Sequence, residues 1–191
     1  MGTSTSHRTR IERNLVARAQ RGDEHAFAEL AFALGDRLYA VAHRILRDTD
    51  LAEEATQQAI VTIWRELPAL RDPDRFAAWA YRLLVNACYR ETRRSRRFQA
   101  IVHLIRPDET SDDHASLIAN RDELERAFRR LSPEHRAVLV LQYHLEYSLE
   151  QIADTLGIPI GTVRSRIHHA KRHMRAAIEA DARQVVGGRG A

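Results

Sequence analysis

Apolar residues recur at helical spacing along most of this chain. The clearest stretch runs from Asp23 to Arg47, where Phe27, Leu30, Leu34, Leu38, Ala42, Ile45 and Leu46 form one stripe that should face a core. A second helix is expected to open after Asp48 or Asp50, with acids at the positive end of its dipole. It should run to Leu67, because Pro68 disfavours helical geometry at the residue before it. After a loop from Pro68 to Asp74, a third helix is predicted through about Arg94. Phe76, Trp79, Leu83 and Ala87 lie on one of its faces and Tyr81, Leu84, Val85 and Cys88 on others, so it should be largely buried, with Phe76 and Trp79 in the core.

The pattern then changes. Phe98 to Ile105 reads as a short apolar piece, and Arg106 to Asp113 is polar, with Pro107, Asp108, Glu109, Asp112 and Asp113, which suits an interdomain linker. Helical pattern resumes near Ala119. Ser132 followed by Pro133 is a helix start, since serine caps free amides and proline at the first helical position lacks one. The expected fold is all-α: two small helical domains, 11–97 and 119–180, joined by a flexible linker over 98–118, with a frayed tail from Gly187 to Ala191.

The stretch from Tyr147 to Met174, YSLEQIADTLGIPIGTVRSRIHHAKRHM, resolves into two helices and a tight turn. Ser148 and Gln151 have capping-box spacing, and Leu149, Ile152 and Leu156 share a face. Ala153 is small where a second helix would cross, Gly157 can adopt the left-handed conformation that ends a helix, and Pro159 can start the next. These are the parts of a helix-turn-helix. On its second helix Val163, Ile167, Ala170 and Met174 fall on one face. Ser165, His168, His169 and Arg172 fall opposite, flanked by Arg164, Arg166, Lys171 and Arg175. An apolar inner stripe with a basic, hydrogen-bonding outer face suits the DNA major groove.

Composition narrows the reading further. With 44% hydrophobic residues and only 8 Gly and 5 Pro in 191 residues, packed helices are favoured. The formal net charge of +4 is too small to argue nucleic-acid binding, so charge placement carries that argument. Arg90, Arg93, Arg94, Arg96 and Arg97 crowd the end of the third helix against the single acid Glu91, where phosphate is a fitting counter-charge. The lone Cys88 suits a reducing cytoplasm, and no apolar run approaches the roughly 20 residues that span a bilayer. Met1 to Arg10 lacks an apolar signal core, so no membrane insertion or export is expected. His169 and His173 lie one turn apart but lack Cys or carboxylate company, so no metal and no cofactor is expected. No Gly-rich phosphate loop, nucleophile elbow or His-Glu metal signature assembles His43, Glu53, Glu54 or Cys88 into a catalytic site, and the chain is read as no enzyme.

Several ordered motifs resemble the extracytoplasmic-function group of the sigma-70 family. They are ARAQRGDEHAFAEL from Ala17, DLAEEATQQAIVTIWR from Asp50, FAAWAYRLLVNACYRETRR from Phe76, LSPEHRAVLVLQY from Leu131 and GTVRSRIHHAKRHM from Gly161. That resemblance implies a promoter-recognising subunit of RNA polymerase. Asp50, Glu53, Glu54, Gln57, Gln58 and Trp64 would meet or support contact with the clamp helices of the largest subunit. Arg71, Asp72 and Asn86 would read and open the minus-ten element, and Arg93, Arg94 and Arg97 would hold its backbone. Thr162, Arg164, Ser165, Arg166, His169 and Arg172 would contact the minus-thirty-five element, and a neighbouring face would meet the polymerase flap. The linker would thread toward the active centre and RNA exit path, and an anti-sigma protein would hold the factor inactive. Gln57 and Gln58 stand where the family usually carries Gln-Glu, and Arg90 where many relatives carry Asp. A helix-turn-helix regulator outside polymerase is the alternative, and the first domain discriminates between the two.

Overall fold

The computed structural model describes residues 13–105 and 121–187. Among these, every regular element is a helix: α1 (residues 13–19), α2 (Glu24–Leu46), α3 (Thr49–Glu66), α4 (Phe76–Ile105), α5 (Arg121–Arg129), α6 (Pro133–Tyr143), α7 (Leu149–Leu156) and α8 (Ile160–Gly187). Two 3-10 turns, Leu67–Ala69 and Pro73–Arg75, lie between α3 and α4. The described residues divide into two compact units, 13–91 with 154–157 and 92–105 with 121–153 and 158–187.

In the first unit, side-chain caps set the helix starts. The Asp23 carboxylate accepts from the Ala26 amide at 3.0 Å, and the Asp48 carboxylate from the Leu51 amide at 2.9 Å, so Asp48 rather than Asp50 opens α3. Each such cap is worth about 1 kcal/mol. Arg47 closes α2 in the left-handed region at φ 62°, its N–H donating to the His43 carbonyl. Helix α2 buries Leu30, Leu34, Leu38, Val41, Ala42 and Ile45, and packs on α3, whose seam of Ala52, Ala55, Ala59 and Ile63 lets the two helices approach closely. Val16 of α1 and Phe76, Leu84, Val85, Ala87 and Cys88 of α4 complete this core. Trp79, by contrast, is half-buried and does not belong to it.

Helix α4 runs past the expected end near Arg94 to Ile105. The reason is plain in the residues: no Gly or Pro lies between Phe76 and Ile105, and the first breaker is Pro107. Residues 98–105, expected to begin the linker, therefore finish a helix, while 106–118 of that linker and the tail beyond Gly187 lie outside the described residues.

In the second unit α5 and α6 both pack on α8, around Ala127, Leu131, Val138, Leu141, Val163, Ile167 and Ala170. Ser132 caps α6, accepting from the His135 amide at 3.3 Å, with Pro133 at the first position. Near the far end of α8, buried Asp181 receives Arg130 at 3.0 Å and Arg126 at 3.3 Å, which ties α5 to that helix.

Candidate nucleic-acid and polymerase interfaces

The capping box of α7 is complete. The Gln151 amide donates to Ser148 Oγ at 3.2 Å and the Ser148 amide to Gln151 Oε1 at 2.8 Å, while the Ser148 hydroxyl donates to Glu150 Oε2 at 2.9 Å. Backbone and Ser148 hydrogen bonds hold the Glu150 carboxyl below its usual range. Gly157 sits at φ +64°, and the Ile158 amide closes the turn onto the Ala153 carbonyl at 3.1 Å. The Pro159 carbonyl accepts from the Thr162 and Val163 amides, so proline is the cap and α8 begins one residue later, at Ile160.

Helix α8 buries Val163, Ile167 and Ala170 and leaves Arg164, Ser165, His168, His169 and Arg172 exposed, with Thr162 and Arg166 half-buried. The Ser165 hydroxyl donates to the Thr162 carbonyl at 3.0 Å, which leaves its lone pairs to accept from a base amino group. Lys171 flanks this face and is exposed, and its ammonium lies 5.3 Å from the centre of the Tyr143 ring, a cation–π contact with α6. Phe128, Leu139, Val140, Tyr143, His144, Lys171 and Met174 line an apolar groove of about 370 Å³ in this unit.

His135 at the start of α6 faces His173 of α8, ring centres 5.8 Å apart. Burial and the His173, His169 and Arg166 charges lower the His135 pKa, against the pull of Glu134. Burial alone would raise the Glu134 carboxyl, but hydrogen bonds from its own backbone amide and from Ser132, with the Arg166 charge, bring it below its usual range. Among the described residues no group of three or more His, Cys, Asp or Glu side chains is placed to hold a metal ion.

In the first unit, Arg71, Asp72 and Arg75 lie in the loop before α4 and are exposed, and on α4 itself Trp79 is half-buried and Arg82 exposed. Asp72 spends one carboxylate oxygen on the Asp74 amide at 2.9 Å, capping its own 3-10 turn. Sequence reasoning missed Arg75 and Arg82, although their spacing to Trp79, i, i+4 and i+7, places all three on one helical face. Asn86, Arg90, Arg93, Arg94 and Arg97 are exposed along α4.

On α3, Asp50, Glu53 and Gln57 are exposed, and Glu54 and Gln58 half-buried. The Gln58 amide donates to Glu54 Oε1 and to Glu91 Oε1, each at 2.9 Å, and so bridges α3 to buried Glu91 of α4. Trp64 packs on Phe27 of α2 at 4.5 Å between ring centres. Val61, 56% exposed and one turn from Gln57, extends this surface with an apolar contact that the sequence reading did not single out.

Comparison with known proteins identifies the family. The family model for sigma-70 region 2 matches residues 30–98, and that for sigma-70 region 4 matches 121–174. The ECF RNA polymerase sigma factor SigL of Mycobacterium tuberculosis is 33% identical over 162 residues, 82% of this chain and 86% of SigL. Among solved structures, CnrH in complex with the cytosolic domain of CnrY is 26% identical with a TM-score of 0.63, covering 90% of this chain and 99% of that one. RpoE of Bartonella quintana, in complex with the anti-sigma factor NepR, shares the fold at a TM-score of 0.62 and 22% identity, covering 81% of this chain and 98% of that one. With both sigma-70 regions present in order and a relative of this similarity along nearly its whole length, the chain belongs to the extracytoplasmic-function group of the sigma-70 family.

Proposed function

We propose that this chain directs core RNA polymerase to a set of promoters and assists their opening, acting by binding and catalysing no reaction itself. The observation that carries this reading is the presence of both sigma-70 regions in one chain, since region 4 alone would equally suit a free-standing regulator. Helix α8 enters the major groove of the minus-thirty-five element, with Arg164, Ser165, His169 and Arg172 toward the bases and Thr162 and Arg166 at the flank. Arg71, Asp72 and Asn86, joined by Arg75, Trp79 and Arg82, receive the minus-ten element, and Arg93, Arg94 and Arg97 hold its phosphates. The outer face of α3, from Asp50 and Glu53 through Gln57 and Val61, meets the clamp helices, with Glu54, Gln58 and Trp64 in support. The apolar groove between α5, α6 and α8 takes the flap.

Among the described residues no helix is long and apolar enough to cross a membrane, and we place the factor in the cytoplasm, with its polymerase. CnrH and RpoE were both solved with a protein bound, and we propose that an anti-sigma protein likewise holds this chain inactive. Reconstitution tests the function. Purified chain added to core polymerase should yield a complex that starts transcription at discrete genomic sites. A chain that shifts DNA but never binds core polymerase is a regulator instead.

A further inference from the structure

We propose that Gln20 is a positioning residue that holds the loop between α3 and α4 in its DNA-reading shape, an inference that rests on the assignment of this loop to the minus-ten element. Gln20 lies in the turn between α1 and α2. Its Nε2 donates to two carbonyls of the loop, Leu70 at 2.7 Å and Leu67 at 3.2 Å. Both partners are pure acceptors, so the amide nitrogen must be the group that meets them. The Leu67 carbonyl also accepts from the Leu70 amide at 3.1 Å, so Gln20 closes a small ring of hydrogen bonds over the 3-10 turn Leu67–Ala69.

Gln20 is itself held. Gly22 takes φ +89°, the Gln20 amide donates to the Val16 carbonyl at 2.9 Å, and Arg18 spans the turn to Asp23 at 2.7 Å. Buried Val16 and Ala19 anchor α1 on either side. The donor therefore comes from a fixed frame and reaches the loop one residue before Arg71. At the loop's other end Arg13 of the same helix pairs with Asp74. Helix α1 and the turn that follows it, which the family-model match beginning at residue 30 does not include, thus contact both ends of the segment that carries Arg71 and Asp72. A loop fixed before DNA arrives loses less freedom on binding, and its side chains meet only bases that fit the fixed spacing.

The test uses holoenzyme made from the full chain and core polymerase. Two probes are needed: a single-stranded oligonucleotide carrying the minus-ten sequence recovered from DNA bound to the holoenzyme, and a duplex carrying only the minus-thirty-five sequence. Gln20→Met keeps the shape and removes the donor. It should weaken minus-ten binding about tenfold, the worth of one to two hydrogen bonds, and flatten discrimination among minus-ten variants. Affinity for core polymerase and for the duplex should not change. In the free chain the Leu70 and Arg75 amides should exchange faster, with Leu38 and Ile45 unchanged, and Gln20→Lys, which again donates, should restore most of the loss. Equal losses on both probes and on core polymerase would reduce Gln20 to a general folding role and overturn the proposal. So would a silent Gln20→Met beside an Arg71→Ala that weakens minus-ten binding. If Arg71→Ala is silent too, the loop assignment itself fails and the positioning role with it.

Discussion

At the scale of single residues, Gln58 shows how a position on the outer part of α3 can be fixed from the inside. The resemblance read from the sequence implies glutamate here. In this chain Glu54 and Glu91 already supply two carboxylates within 2.9 Å of the side-chain amide, and Glu91 is buried. An amide can donate to both, whereas a third carboxylate would lose both hydrogen bonds and add repulsion in a poorly solvated place. Gln58→Glu should therefore lower the stability of the first unit by about 1–3 kcal/mol at neutral pH in a denaturant titration. The introduced carboxyl would have its pKa raised above the unfolded value, so the deficit should shrink as the pH falls toward about 4, where that carboxyl is protonated. A deficit that is the same at both pH values would point to lost packing instead. This pairing was invisible in the sequence because Gln58 and Glu91 lie 33 residues apart and meet only when α3 and α4 pack.

At the scale of elements, what was legible followed local chemistry. Asp23, Ser132 and Ser148 announce helix starts because a cap needs only the next three residues, and the buried stripes of α2 and α8 follow directly from 3.6-residue spacing. The end of α4 was misread because a change of polarity at Phe98 is not a helix stop, which requires a Gly, a Pro or a competing cap. The contact of Lys171 with Tyr143 was not legible, since nothing near Lys171 in sequence announces that ring. The seam between α5 and α8 was likewise hidden. It is held by Asp181, whose side chain is 8% exposed and receives Arg126 and Arg130. Burial alone would raise the Asp181 carboxyl, but hydrogen bonds from Arg130 and Arg126 bring it below its usual value. A carboxyl with a folded pKa below its unfolded one stabilises fully above the unfolded value, about 3.9, and the contribution fades as the pH falls through the folded value. Asp181→Asn should therefore lower the melting temperature at pH 7, and the gap to the parent chain should narrow in strong acid. A gap that persists there would mean that the carboxylate charge is not what holds α5.

At the scale of the molecule, the proposed function depends on two modest surfaces used together. The proposal gives helix α8 only a handful of base-reading side chains and the loop before α4 fewer still, so neither element alone would supply the specificity that promoter choice needs among many competing sites. Carried on one chain, the second contact becomes intramolecular and the combined affinity exceeds either alone by about 10²–10⁴, provided that both elements can be reached at once. The spacing between promoter elements is then part of what is read. Inserting about 5 base pairs between them, half of a turn of roughly 10–10.5, leaves both sequences intact but turns them to opposite faces of the duplex. Holoenzyme affinity for that promoter, measured by titration at fixed salt, should fall by about two orders of magnitude or more, toward the value for a single element. Inserting about 10 restores the facing but stretches the span by about 34 Å, so recovery should be partial at most. An affinity indifferent to both insertions would mean that one surface does the recognising, and the role assigned to the other would have to be withdrawn.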